Sequence, residues 1–279
     1  MLFYDEHSGY MDEDDVDNVY TVLRKAGLTR KKPLAKLDVL IHSYGGDPNA
    51  GYRMAQVIHD FADEVVVLVP DHATSAGTLT SLCAHEIRLG AGAYLGPIDI
   101  TLAGGPSEVE LAGIEYFKRF VADCREDAVE YREREGLNPV TEIDSALLGK
   151  MVDQLTAIKI GSLYRNSELT GHYAKRLIVD YMFAQLPNRR VLADEIASSL
   201  LKGLPAHDFV LDFHMCKETR LPVVEMEEPE SDAAKALTAL LGQLSAKGVV
   251  CRDLGIRRGD RYKAPFVRYF PARSKKVRK

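Results

Sequence analysis

Apolar residues run without a break through Val65-Val66-Val67-Leu68-Val69, a β-branched stretch of the kind that a strand covered on both faces requires. A second short apolar run, Leu37-Asp38-Val39-Leu40-Ile41-His42-Ser43, is stopped by Tyr44-Gly45-Gly46-Asp47-Pro48. Between the two, Met54, Val57, Ile58 and Phe61 recur at i, i+3, i+4 and i+7, which predicts a helix beginning near Asn49 with these residues on one face. Strand, helix and strand form a β-α-β unit, whose strands lie parallel with a right-handed crossover. The loops that follow both strands, 44–48 and 70–74, therefore meet at one carboxyl edge, where open parallel sheets place ligands. A second helix is predicted from Ser75, with Leu79, Leu82 and Cys83 as its apolar stripe, and a third strand at Glu86-Ile87-Arg88-Leu89.

Outside this core the pattern is weaker. Leu2-Phe3-Tyr4 reads as an edge strand, and Asp14-Asp15-Val16-Asp17-Asn18-Val19-Tyr20 opens a helix with carboxylates in its first turn, where the helix dipole favours them. Residues from about 107 to 202 are mostly helical in pattern, broken at Gly136-Leu137-Asn138-Pro139 and at Pro187-Asn188. A strand-bearing piece at Phe209-Val210-Leu211-Asp212-Phe213 and Leu221-Pro222-Val223-Val224 is expected to rejoin the sheet. The expected fold class is α/β, a parallel β-α-β sheet core with a helical C-terminal part. It forms one domain over 1–251 with a helical insertion at about 107–202, followed by a basic tail, 252–279.

Composition narrows the functional classes only slightly. The formal net charge of -5 favours neither nucleic acid nor an anionic membrane. The tail is the exception: it carries eleven Lys and Arg residues against Asp253 and Asp260, so nucleic acid is a minor possibility there. The acidic stretch Glu225, Glu227, Glu228, Glu230 and Asp232 is an equally plausible internal partner, and a solvated tail the plainest reading. Cys83, Cys124, Cys216 and Cys251 are scattered, with no Cys-x-x-Cys pair and no histidine cluster at ligand spacing, so neither metal nor cofactor is expected. Small core residues in a reducing compartment suit them best. No secretory signal pattern and no apolar run of about 18 residues is visible, which makes a cytoplasmic protein without a membrane segment the expectation.

Chemistry concentrates at the carboxyl edge. A serine becomes a nucleophile when a base takes its proton and fixed donors receive the charge developing on the substrate oxygen. Ser75 stands where a strand hands over to a helix, so free N–H groups point towards it, and Ala76 and Gly77 leave its hydroxyl accessible. Serine is also a common helix cap, and in isolation that role is the commoner one. Gly45-Gly46, on the neighbouring loop, permits the close backbone approach that a ligand needs. The Gly46 and Ala76 N–H groups are thus the candidate oxyanion hole, with Gly45 and His72 positioned to contact substrate.

Together these segments resemble a known family. Leu40-Ile41-His42-Ser43-Tyr44-Gly45-Gly46, then Val69-Pro70-Asp71-His72-Ala73-Thr74-Ser75-Ala76-Gly77-Thr78-Leu79, Ala84-His85-Glu86-Ile87 and Leu95-Gly96-Pro97-Ile98-Asp99 follow in the order and spacing of the serine dehydrogenase proteinases. These are distant relatives of the ClpP peptidases and of signal peptide peptidase A within the ClpP/crotonase superfamily. The resemblance is strong over about 37–101 and weaker over 155–224, where Ala206-His207-Asp208-Phe209-Val210 looks like a later histidine-bearing strand.

The resemblance implies a ClpP/crotonase-like superhelical sheet core and ATP-independent peptide-bond hydrolysis on peptides or unfolded proteins. It implies a homo-oligomer, and a triad of Ser75, His207 as base and Asp99 as orienting acid. A lysine base, with Lys118 as candidate, is the alternative; His42, His72 and His85 lie nearer in sequence, but His42 and His85 fall in a strand and at a helix end. Relatives commonly have proline where this chain has Tyr44, and Pro-Gln where it has Ile100-Thr101. An acyl-CoA enzyme of the crotonase kind and a catalytically silent assembly module are the competing functions, since the fold alone fixes neither.

Overall fold

The structure is a computed structural model, and it describes residues 2–5, 11–98, 101–102, 109–110, 157–202, 204, 206, 208–243, 248–251 and 267–269. Its first half runs β1 (Leu2–Asp5), α1 (Glu13–Lys25), β2 (Leu34–His42), α2 (Pro48–Asp60), β3 (Ala62–Val69), β4 (His72–Ala73), α3 (Ala76–Ser81), β5 (Glu86–Leu89) and β6 (Tyr94–Leu95). The second half contains the short pair β7 (Thr101–Leu102) and β8 (Val109–Glu110), and then α4 (Ala157–Leu177), which passes into a π-helical turn at Ile178–Met182. It continues with α5 (Arg189–Lys202), α6 (Phe213–Glu218), β9 (Val223–Glu225), α7 (Glu228–Gln243), β10 (Gly248–Cys251) and β11 (Val267–Tyr269).

Among the described residues seven strands form the main sheet, in the order β11-β10-β1-β2-β3-β5-β9. The run from β1 to β9 is parallel, with Val39 opposite Val67 and Val67 opposite Ile87, while β10 and β11 join antiparallel. The expected β-α-β unit is thus the centre of the sheet. All five residues of the Val65–Val69 run are buried, because helices lie over one face and α7 contributes Ala234 and Leu237 to a smaller cluster with Val66 and Leu68. Met54, Ile58 and Phe61 of α2 face the core as their spacing predicts, with Val57 half-buried beside them. Each such fully buried side chain is worth about 1.5–3 kcal/mol.

Four expectations change. Leu2-Phe3-Tyr4 is not an edge strand: β1 sits inside the sheet, between β2 and β10. Phe209–Phe213 is not a strand either. Leu211 makes a single bridge to Leu95, and Asp212 then caps α6 by accepting from the Met215 N–H at 2.9 Å, which ends any extended run. The piece does rejoin the sheet later, as β9 beside β5. The third change is in α3, which is buried all round rather than along one stripe; Thr80 and Ser81 satisfy their hydroxyls on the Ala76 and Gly77 carbonyls at 2.8 and 2.9 Å. Lastly, the basic tail is not wholly a solvated segment, since Val267–Tyr269 pairs with β10 as the outermost strand.

A second, smaller layer sits on the carboxyl edge of the main sheet. There β4 pairs in parallel with β6, Ser43 bridges to Ala73, and Leu95 bridges to Leu211. This layer gathers the ends of β2 and β3 and delivers the chain into α3. It is what fixes Ser75 in place.

Candidate active site

Thr74 and Ser75 link β4 to α3, and the Ser75 backbone is held at φ 50°, ψ -117°, a region that L residues rarely adopt. Among the described residues only Arg220 shares a positive φ without being glycine. Strain of this kind costs about 1–3 kcal/mol and persists only where the surroundings impose it. They do so here: the Ser75 N–H donates to the Pro97 carbonyl at 3.0 Å and the Thr74 N–H to the Ser43 carbonyl at 2.9 Å. Thr78 adds its buried hydroxyl, 2.7 Å from the Ala73 carbonyl oxygen and 2.9 Å from that of Gly96. Ser75 makes no capping hydrogen bond with its side chain. The helix-cap role therefore does not account for this serine, whereas a sharp strand-to-helix turn presenting a hydroxyl does.

The glycine loop is built around that hydroxyl. Gly45 has φ 108°, and a Cβ on it would lie 2.6 Å from Ser75 Cβ and 3.2 Å from Ser75 Oγ, so only glycine lets the loop pass this close. A Cβ on Gly46 would strike Met11, 2.2 Å from its backbone nitrogen. Met11 braces the loop by donating to the Gly45 carbonyl at 3.0 Å and accepting from the Asp47 N–H at 2.8 Å. The Gly45 N–H is used internally, on Ser43 Oγ at 3.0 Å. Flanking Ser75, the Gly46 and Ala76 N–H groups donate to no acceptor among the described residues. They belong to the two loops that meet at Ser75, as the candidate oxyanion hole requires.

Of the remaining candidates, Asp99, His207 and Lys118 lie outside the described residues. The residues just before Asp99 are anchored: the Pro97 carbonyl holds the Ser75 N–H, and the Ile98 N–H donates to Leu200 at 3.1 Å. Among the described residues no side chain is hydrogen-bonded to Ser75 Oγ, so neither His42 nor His72 holds it. His85 is structural, its Nδ1 accepting from the Val65 N–H at 3.1 Å. His72 is 2% exposed, covered by the ring of Tyr44 at 4.1 Å and that of Tyr94 at 5.7 Å, so a substrate arriving from solvent meets the 68% exposed Tyr44 first. The Tyr94 phenol is held above its ordinary value by burial and by the nearby Asp71 carboxylate. Burial pushes the thiols of Cys83 and Cys216 up to about 12, which leaves both as inert core residues.

One grouping was not visible in the sequence. His42, at the end of β2, and His72, in β4, bring their rings to 4.3 Å, and both direct Nδ1 towards Asp71 Oδ2, at 3.9 and 3.0 Å. The Asp71-His72 pair just ahead of the elbow was the only linear hint, because the third member comes from another strand. Beyond Tyr94, a cavity of about 380 Å³ opens at the ends of β5 and β9, lined by Leu89, Tyr94, Val210, Phe213, Glu225 and Met226 among others. It lies on the same edge of the sheet as Ser75.

A parallel α/β sheet with a strained serine at its carboxyl edge, beside two backbone donors without an acceptor among the described residues, is the architecture of a ClpP-like protein. The chain belongs to the family of ClpP-like SDH-type serine proteinases, whose profile matches residues 9–173, more than half of its length. Two uncharacterized proteins of Methanocaldococcus jannaschii are similar to it. MJ0137 is 31% identical over 102 residues, 37% of this chain and 34% of that protein, and MJ1495 is 28% identical over 92 residues, 33% and 31% respectively. The chain thus spans about a third of the curated relatives it matches. Solved structures with some likeness include two mutants of the 1510-N membrane-bound stomatin-specific protease. A serine-to-alanine mutant has TM-score 0.42 and 15% identity, covering 79% of this chain and 76% of that one. A lysine-to-alanine mutant in complex with a substrate peptide has TM-score 0.43 and 15% identity, covering 86% and 78%. Among the described residues no helix is long and apolar enough to cross a membrane.

Proposed function

We propose that this protein is a serine peptidase that cleaves peptide bonds through an acyl-enzyme on Ser75, without ATP. Ser75 Oγ attacks the scissile carbonyl carbon while His207 takes the hydroxyl proton, and Asp99 holds the imidazolium that results. The carbonyl oxygen becomes an oxyanion received by the Gly46 and Ala76 N–H groups. His207 passes its proton to the departing amine, and water, deprotonated by the same histidine, hydrolyses the ester and restores Ser75. Gly45 lets the substrate backbone lie against the nucleophile. The substrate is a peptide or an unfolded protein, and the working unit is a homo-oligomer.

The observation that carries this reading is the strained Ser75 backbone, with the Gly46 and Ala76 N–H groups beside it donating to no acceptor among the described residues. Membership of a serine proteinase family supports it. Its test is hydrolysis of a quenched-fluorescent peptide library and of unfolded casein by the full chain in nucleotide-free buffer, assayed alongside a panel of acyl-CoA thioesters. Peptide cleavage at a rate independent of added ATP is expected. Thioester turnover without peptide cleavage would transfer the site to the crotonase reading, and neither activity would leave an assembly module.

A further inference from the structure

We infer that Tyr44 and Asp71 form a subsite for a cationic side chain, arginine above lysine, of a peptide held at Ser75. The inference deepens the peptidase reading and rests on its placing of the substrate backbone between Ser75 and the glycine loop. Two hydrogen bonds set the subsite beside the nucleophile. The Ser43 N–H donates to the His72 carbonyl at 3.2 Å and the Thr74 N–H to the Ser43 carbonyl at 2.9 Å, so residues 42–44 run parallel beside 72–74. Tyr44 is thereby level with Thr74, one residue short of Ser75. It also directly precedes Gly45, where an added Cβ would stand 3.2 Å from Ser75 Oγ.

Both side chains reach solvent around one buried ring. The Tyr44 ring lies 4.1 Å from that of His72, tilted by 41°, and His72 Nδ1 is 3.0 Å from Asp71 Oδ2. The buried His72 is thus the common support of an aromatic face and a carboxylate. With His72 under one side of its ring, most of the rest of Tyr44 faces solvent. The Asp71 side chain is 59% exposed. His72 engages its Oδ2, and His42 Nδ1 stands 3.9 Å from that same oxygen, whereas Oδ1 accepts from no donor among the described residues. Nor does any described lysine or arginine pair with this carboxylate. His72 therefore fixes Asp71 through one oxygen and leaves the other to a ligand.

An open aromatic face next to a carboxylate selects a cation. The two groups are separated by no more than the His72 ring and its contacts. One cation can therefore stand within about 6 Å of the Tyr44 ring centre and within about 4 Å of Asp71. A guanidinium stacks on Tyr44 and turns its N–H fork to the carboxylate, whereas an ammonium reaches both only as a point charge. An aliphatic side chain would also cover the ring, but it would strip water from Asp71 without replacing it. An acidic side chain meets like charge. Tyr94 extends the same wall, with its ring 5.7 Å from that of His72. Burial first, and then Asp71 and Tyr44, hold its phenol above the ordinary value, so it remains a neutral O–H donor beside them.

The test pairs binding with cleavage. Fluorescence anisotropy follows binding to full-length Ser75→Ala protein, which leaves the peptides intact, as arginine, lysine, norleucine or glutamate is moved through each position of a fixed sequence. Mass spectrometry maps cleavage of the same peptides by the wild type. At one fixed position from the cleaved bond, arginine is expected to bind and to be cleaved about tenfold better than norleucine, with lysine between them and glutamate last. Added salt shrinks this preference. Asp71→Asn and Tyr44→Leu, both at exposed positions, each reduce it to about threefold or less while norleucine peptides bind within about twofold of before. A merely structural role would lower the affinity of both kinds of peptide alike. Equal binding of arginine and norleucine peptides overturns the subsite, as does failure of every peptide to bind, or a preference that survives both substitutions. Arginine-selective binding with no cleavage by the wild type supports the subsite and removes the peptidase reading, whereas cleavage with no basic preference does the reverse.

Discussion

Ser75→Ala is expected to lower peptide hydrolysis by a factor on the order of 10³–10⁶ with the unfolding midpoint unchanged. The hydroxyl is the proposed covalent nucleophile, and its loss leaves only the oxyanion donors and substrate positioning to act on water. Stability is expected to stay within about 0.5 kcal/mol, for two reasons visible in the site. The Ser75 side chain makes no capping bond that its removal would break, and alanine occupies the same strained φ at the same cost. Kinetics on nucleotide-free peptide substrate and a urea titration read the two effects separately. A Ser75→Ala protein that retains more than a tenth of wild-type turnover is incompatible with the proposed chemistry.

Gly45→Ala is the second large effect, and it works by a different route. The added methyl would sit 2.6 Å from Ser75 Cβ and 3.0 Å from the Thr74 carbonyl oxygen, at a φ of 108°. Either the glycine loop retreats or the elbow turns, and both separate the nucleophile from its donors. A drop of about 10²–10³ in kcat/KM is expected, the size seen when an oxyanion donor is lost. The fold itself loses on the order of 1–3 kcal/mol through backbone strain. Gly27→Ala provides the control: its φ is 83°, but nothing lies within 4 Å of the added carbon. It is expected to lose stability to a comparable degree while keeping kcat/KM within twofold. Equal activity losses in the two variants would mean that Gly45 matters only to stability.

The core of the fold was legible because its signals are local. Val65–Val69 and Leu37–His42 announce buried strands, the α2 stripe has helical spacing, and a crossover between parallel strands has one hand. From these signals alone the carboxyl edge follows, and with it the meeting of Ser75 and Gly45-Gly46. What failed depended on distant partners. Leu2–Tyr4 resembles an edge strand until β10 and β11 arrive from the other end of the chain to cover it. Phe209–Phe213 has strand composition, but Asp212 caps a helix there, and the local bond wins. The brace from Met11 had no signal, since an isolated methionine in a loop announces nothing about the glycines it will hold. Nor did the approach of His42 to His72, thirty residues apart on separate strands, have a linear signature. Within the site, the sequence points to Ser75 and the glycine loop through elbow geometry. It points to Asp99 and His207 only through family resemblance.

If Ser75 is the activated nucleophile, an electrophile that mimics the scissile carbonyl must end up bonded to its Oγ. Folded full-length protein is treated with a fluorophosphonate, digested and mapped by mass spectrometry. A single phosphonyl adduct is expected on the peptide containing Ser75, absent from Ser75→Ala and from heat-unfolded wild type. No adduct on the folded protein, or one on another residue with Ser75 unmodified, would contradict the assignment of Ser75 as nucleophile.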